Sequence, residues 1–215
     1  MSRQGAVRGR QRVVVASRNR GKAGEIAGIL GDEGLDLEVV SLAGFPEVEL
    51  PPETGETFAE NAVAKVRWVA GAVGCAAVGD DSGLEVDALG GTPGIFSARF
   101  GTSGTDEGRY RKVLGLLREE PAARRHARFR CAAAYATPGS EVLVAEGTCE
   151  GTIALQPAGC GGFGYDPIFV PEGETRTMAQ LTPEEKHAIS HRGRAFRELA
   201  KLIRKHLGAG GAGSG

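Results

Sequence analysis

The chain has 215 residues, 41% of them hydrophobic and 25% charged, with 26 basic side chains against 27 acidic ones and a net charge of −1. That length suits one or two cores of ordinary soluble type, and the even balance excludes a global electrostatic footprint for nucleic acid or membrane. Apolar runs fall far short of a membrane span and the N-terminus lacks the apolar core of a signal peptide, so a cytoplasmic protein with neither a nucleic-acid nor a membrane partner is expected.

Residues 1–10 carry three arginines and no apolar period, and are expected to be a disordered arm. Arg12 to Ala16 is a β-branched run, a strand, followed by the loop Ser17-Arg18-Asn19-Arg20-Gly21-Lys22 and a helix with Ile26, Ile29 and Leu30 on one face. Backbone N–H groups at that helix start, with Lys22 beside them, would attract phosphate; the plainer alternative is a strand-to-helix turn with exposed charges. A Walker A pattern is absent. Leu37 to Leu42 is a second strand, and residues 43–56, rich in Pro, Gly and Glu, are a loop.

Thr57 and Glu60 form a capping box that opens a helix with Phe58, Ala62, Val66, Val69 and Val73 near one face. Asn61 and Lys65, four apart, share a polar face, which is either solvated or one wall of a cleft. Ala76 to Val78 is a short strand expected to end in an acidic turn, Gly79-Asp80-Asp81-Ser82-Gly83-Leu84-Glu85. Asp80 and Asp81, with Glu53 and Glu56 from the preceding loop, supply the one or two carboxylates that Mg²⁺ takes from a protein. Residues 88–104 show no period. Thr105 or Asp106 caps a helix to about Arg118, and Ala127 to Ala136 and Glu141 to Cys149 read as paired strands.

The block Gly161-Gly162-Phe163-Gly164-Tyr165-Asp166-Pro167 strips side chains from around two rings, which favours stacking on a flat base; equally, the rings could plug the core. Ile168 to Val170 is a short strand. Thr182-Pro183-Glu184-Glu185 is a second capping box, and Lys186 to Arg194 packs Lys186, His187, His191, Arg192 and Arg194 into a donor patch for phosphate or a base carbonyl, unless it is only a basic helical face. A helix over 191–207 and a flexible tail over 208–215 complete the chain, leaving 11–207 as a single domain of mixed α/β (α+β) class. The four cysteines, at 75, 131, 149 and 160, form no Cys-x-x-Cys pair and read as buried free thiols. A dinucleotide fingerprint and a placeable Ser-His-Asp set are both missing.

These blocks, in this order, resemble the inosine triphosphate pyrophosphatase family: Ser17 to Lys22 with Glu25; Glu53 to Ala62; Asp80 to Gly91 through to Phe100; and Gly161 to Phe169 leading to Leu181 through Gly193. The resemblance covers 12 to 207. It implies an elongated two-lobed fold with a central mixed sheet and a cleft between the lobes, a homodimer, a Mg²⁺ cofactor and a purine nucleoside triphosphate substrate. It implies that Ser17, Arg18, Asn19, Arg20, Gly21 and Lys22 contact the phosphates, and that Asp81 binds metal and takes a proton from the attacking water. Glu53 becomes the best second metal ligand, since Pro52 stands where some members carry an acid. Ser82, Lys186, His191 and Arg192 become substrate contacts, and Phe163, Gly164, Tyr165 and Asp166 the base-binding segment. The implied reaction is hydrolysis of dITP, ITP or XTP to the monophosphate and pyrophosphate. The competing readings are a pyrophosphatase of broader specificity and a nucleotide sensor without turnover. Arg18 departs from the family's usual glycine, and Met178 from a common aromatic.

Overall fold

The computed structural model describes residues 10–101 and 104–210, so most of the expected arm and tail lie outside the described residues. β1 (Gln11–Val15) pairs in parallel with both β2 (Leu37–Ser41) and β3 (Ala76–Val86). From β3 onward the pairing turns antiparallel, through β4 (His126–Ala136) and β5 (Leu143–Ile153) to the short β6 (Phe169–Pro171). Among the described residues these strands make one mixed sheet ordered β2-β1-β3-β4-β5-β6.

Helices cover both faces. α1 (Arg20–Asp32) packs Ile26, Ile29 and Leu30 with Phe196, Leu199 and Ile203 of α5 (His191–Gly210) on one side of the sheet. On the other side α2 (Phe58–Val73) lays Phe58, Ala62, Val66 and Val69 against Val14, Ala77, Ala132 and Ala134. Because α1 and α2 lie on opposite faces, the connections leaving β1 and β2 diverge at β1. Such a switch point leaves a crevice beyond the carboxyl ends of the strands. A third core, with Leu84, Phe129, Ile153, Ile168 and Met178, fills the far half of the sheet under α3 (Asp106–Leu116). The long β3–β4 ribbon runs through both halves of the sheet, and the mixed α/β class is the one expected.

Local chemistry sets the helix ends. Asn19 caps α1 by accepting from Lys22 N at 3.1 Å. Thr57 caps α2 by accepting from Glu60 N at 3.1 Å, and Gly74, with φ of 66°, ends it in the left-handed conformation. The Thr182 capping box opens α4 (Pro183–Ile189) with proline in its first turn.

The acidic turn is not a turn. β3 runs straight through Gly79–Glu85, and β4 faces it residue for residue, with Asp80 opposite Ala133, Asp81 opposite Ala132 and Ser82 opposite Cys131. Ten consecutive ladder pairs outweigh the local turn preference of Asp, Ser and Gly. Gly83 serves close packing instead: a Cβ there would collide with the Gly94 carbonyl oxygen. α5 also continues to Gly210 instead of stopping near 207. Among the described residues no helix is long and apolar enough to cross a membrane.

Candidate active site

The cleft forms where β1 gives out. β1 is last paired at Val15–Val78, while β3 continues beside β4 alone. Successive strand residues point to opposite faces, so neighbouring carboxylates acquire separate surroundings. Asp80 and Ser82 face α1 and α5, and Asp81 faces α2.

On the α1–α5 face Asp80 is fully buried. Its Oδ2 accepts from Lys22 Nζ at 3.3 Å, Arg192 Nη2 at 3.1 Å and the Cys131 thiol at 3.8 Å. Burial pushes its carboxyl up, but Arg192, Lys22 and Lys65 together hold it far below the usual carboxylate range. Arg192 Nη2 also reaches Ser82 Oγ at 3.0 Å. Its Nη1 meets Glu25 Oε2 at 2.6 Å, and Glu25 Oε1 accepts from Lys186 Nζ at 2.6 Å. Lys186 in turn donates to Asp166 Oδ2 at 2.7 Å, which also accepts from Phe163 N at 2.9 Å. Six charges alternate from the 163–166 turn to Lys22. Burial raises the Glu25 carboxyl, yet Arg192 and Lys186 bring it below its ordinary value.

Above this chain lies the Phe163 ring, with Lys186 Nζ 4.8 Å and Arg192 Cζ 5.4 Å from its centroid. Gly21 belongs under the ring, because a Cβ there would lie 3.0 Å from Phe163 Cδ1. The His191 ring stacks on Phe129 with centroids 4.6 Å apart. Burial, then the Arg192 charge, drives the imidazole well below its ordinary pKa, so it is neutral at pH 7. Among the described residues its Nδ1 is buried without a partner. A tautomer protonated on Nε2 avoids stranding a donor there.

On the α2 face Asp81 Oδ2 accepts from Asn61 Nδ2 at 3.0 Å and Oδ1 from Lys65 Nζ at 3.2 Å. Lys65 Nζ also reaches Glu53 Oε1 at 2.8 Å, and Arg99 Nη1 lies 3.4 Å from Glu53 Oε2. Burial, reinforced by the nearby Glu53 charge, raises the Asp81 carboxyl above its ordinary value against the pull of Lys65 and Lys22. Glu53 moves the other way: burial would raise it, but Lys65, with Lys22 and Arg99, brings it below its ordinary value. Among the described residues no group of three His, Cys, Asp or Glu side chains is arranged to hold a metal. A pair of carboxylates beside a phosphate site is the donor set that Mg²⁺ uses, with water and substrate oxygens completing its shell.

Ser82, Lys22, Asn19, Phe163, Lys186 and Arg192 all line the cleft, as do Gly164, Tyr165, Asp166 and His191. The remaining sequence candidates have other surroundings. Ser17 Oγ accepts from Asn19 N at 3.1 Å within the loop. Arg18 sends Nη2 to the carbonyls of Phe45, Pro46 and Val48, the last at 2.7 Å. Arg20 is exposed at the start of α1, and Glu56 is exposed beside the loop carboxylate that is used. The two rings of the glycine block divide: Phe163 is half-buried at the cleft, while Tyr165 is buried and donates its hydroxyl to Ser97 O at 2.8 Å. Asn61 and Lys65, open to a solvated reading, are buried. Asp106, which the sequence offers only as a helix cap, lies at the cleft: its Oδ2 accepts from Gly164 N at 2.7 Å and its other oxygen pairs with Arg109. Sequence reasoning also set Cys131 aside. Glu25 had a local signal, three residues after Lys22 on one helix face.

Known proteins resemble the chain in sequence and in fold. Residues 13–202 match the Ham1 family. The dITP/XTP pyrophosphatase of Streptomyces avermitilis is 50% identical over 198 residues, covering 92% of this chain and 99% of that protein. The protein of the same name from Escherichia coli O157:H7 is 47% identical over 197 residues, 90% and 98% of the two chains. Among solved structures, a HAM1 protein from Coxiella burnetii superposes with a TM-score of 0.80 at 40% identity, covering 91% of this chain and 99% of that one. The nucleoside-triphosphatase / dITP/XTP pyrophosphatase of Mycobacterium abscessus gives 0.69 at 49% identity, covering 89% and 98%. With a match running from β1 into α5 and relatives aligned over nearly their whole length, the chain belongs to the Ham1 family.

Proposed function

We propose that the protein hydrolyses non-standard purine nucleoside triphosphates, dITP, ITP and XTP, to the monophosphate and pyrophosphate, and so cleanses the nucleotide pool. The names of its relatives support this. One observation carries it: a cleft with a ring platform and a neutral imidazole at one end opens at the edge of a strand whose paired aspartates serve opposite faces.

In this reading Phe163 stacks on the base. His191 Nε2–H and Arg192 donate toward the 6-keto oxygen, which adenine replaces with an amino group. A site built on such polar contacts discriminates by about 10⁴-fold. Lys22 and the start of α1 take the phosphates, and Lys65 joins Lys22 in stabilising the charge on departing pyrophosphate. Asp81 orients the attacking water and removes its proton. Glu53 and Asp81 would hold Mg²⁺, which when bound neutralises charge on the phosphate oxygens. A cytoplasmic homodimer is the form we assign to the active protein, to be checked by sedimentation.

Incubating the protein with dITP, XTP, dGTP and dATP plus Mg²⁺ and measuring pyrophosphate tests the assignment. Release from dITP and XTP far above dGTP and dATP is expected. Equal rates would indicate a general pyrophosphatase, and silence on all four a sensor.

A further inference from the structure

One ammonium serves both carboxylates assigned to the metal. Lys65 Nζ lies 2.8 Å from Glu53 Oε1 and 3.2 Å from Asp81 Oδ1, and its side chain is 7% exposed. The outer oxygens are engaged elsewhere, Asp81 Oδ2 by Asn61 and Glu53 Oε2 by Arg99. The inner oxygens therefore converge on a single cationic atom. Without it two carboxylates would face the same point with no charge between them.

We propose that Lys65 is a resident stand-in for the divalent cation: its ammonium holds Glu53 and Asp81 convergent in the metal-free protein and must leave before a metal can take the same two oxygens. The inference rests on reading Glu53 and Asp81 as the metal pair. Departure requires only rotation of a flexible four-carbon stem, since α2 fixes the backbone at Ala62 and Val66 on either side of Lys65. The released charge is then free for the phosphates of the incoming nucleotide. Lys65 thus couples metal entry to substrate entry, because each removes part of the cost of the other.

Mn²⁺ alone, titrated into the full-length protein without nucleotide and followed by electron paramagnetic resonance, tests this. Lys65→Met, which removes the competitor, should bind Mn²⁺ about ten-fold more tightly than wild type, a gain of about 1.4 kcal/mol. Lys65→Arg, which keeps the charge, should bind no more tightly than wild type. Metal-free Lys65→Met should melt below wild type and gain more from Mn²⁺. Binding by Lys65→Met that is unchanged or weaker overturns the inference. Should that variant fail to fold, the ¹⁵N resonance of the Lys65 ammonium in wild type decides: it should shift as Mg²⁺ is added, and a resonance unmoved at saturating Mg²⁺ overturns the inference. Mn²⁺ binding that survives in both Glu53→Gln and Asp81→Asn removes the metal assignment itself, and the inference with it.

Discussion

Asp80 and Asp81 are adjacent in sequence and chemically unlike, because each takes its character from the face it meets. Asp80 is enclosed by Arg192 and Lys22 and is locked in its charged form. Asp81 shares its surroundings with Glu53, and burial with that neighbouring charge raises its carboxyl. Asp81→Asn keeps the size of the side chain, turns one of its two accepting oxygens into a donor and removes the base. It should cut kcat by about 10² to 10⁴-fold in a protein that still unfolds cooperatively, as pyrophosphate release and calorimetry would show. His191 supplies a pH signature. In the unfolded chain its imidazole titrates near 6.5, about the ordinary value, whereas the buried one titrates well below that. As pH falls below about 6.5 the unfolded chain binds a proton that the fold refuses, so this residue withdraws stability at a slope of up to about 1.4 kcal/mol per pH unit. Its contribution is complete above that pH. Denaturant titrations of wild type and His191→Asn at pH 7 and pH 5 should show a smaller loss in the variant.

At the scale of elements, the strand at the centre of the site was the one least legible in the sequence. Gly79-Asp80-Asp81-Ser82-Gly83 has turn composition, and only the partner strand, some fifty residues later, overrides it. Helices were far easier, since Thr57, Thr182 and the apolar spacing of α2 and α5 are local signals that the fold obeys. The candidate residues were recognisable from type and motif, but their orientation was not. Nothing local says that Lys65 is buried against two carboxylates, or that the Arg18 guanidinium meets the carbonyls of Phe45, Pro46 and Val48. Gly83 illustrates the difference, because its reason is a crowded strand and not a left-handed turn. Gly83→Ala should destabilise the protein by about 1 to 3 kcal/mol through overpacking against Gly94 and Ser97, read as a lower denaturation midpoint at unchanged slope.

Across the whole molecule, the alternating chain Asp166, Lys186, Glu25, Arg192, Asp80, Lys22 ties the 163–166 turn, α4, α1, α5 and β3 to one another. Glu25 is its middle anion. Glu25→Ala strands Lys186 and Arg192 without their shared counter-charge, and a loss of about 3 to 5 kcal/mol is expected by denaturant titration. The abrupt end of β1 has a consequence of its own. Val78 O is taken by Ala16 N, Leu84 N by Ser97 Oγ and Val86 N by Thr92 O, all on the side of β3 away from β4. Asp80 and Ser82 share that parity, so their peptide N–H groups point outward from the ladder into the space vacated by β1. Deuterium should therefore enter those two amides far sooner than the interleaved ones of Asp81 and Gly83, and a bound triphosphate should slow only the first pair.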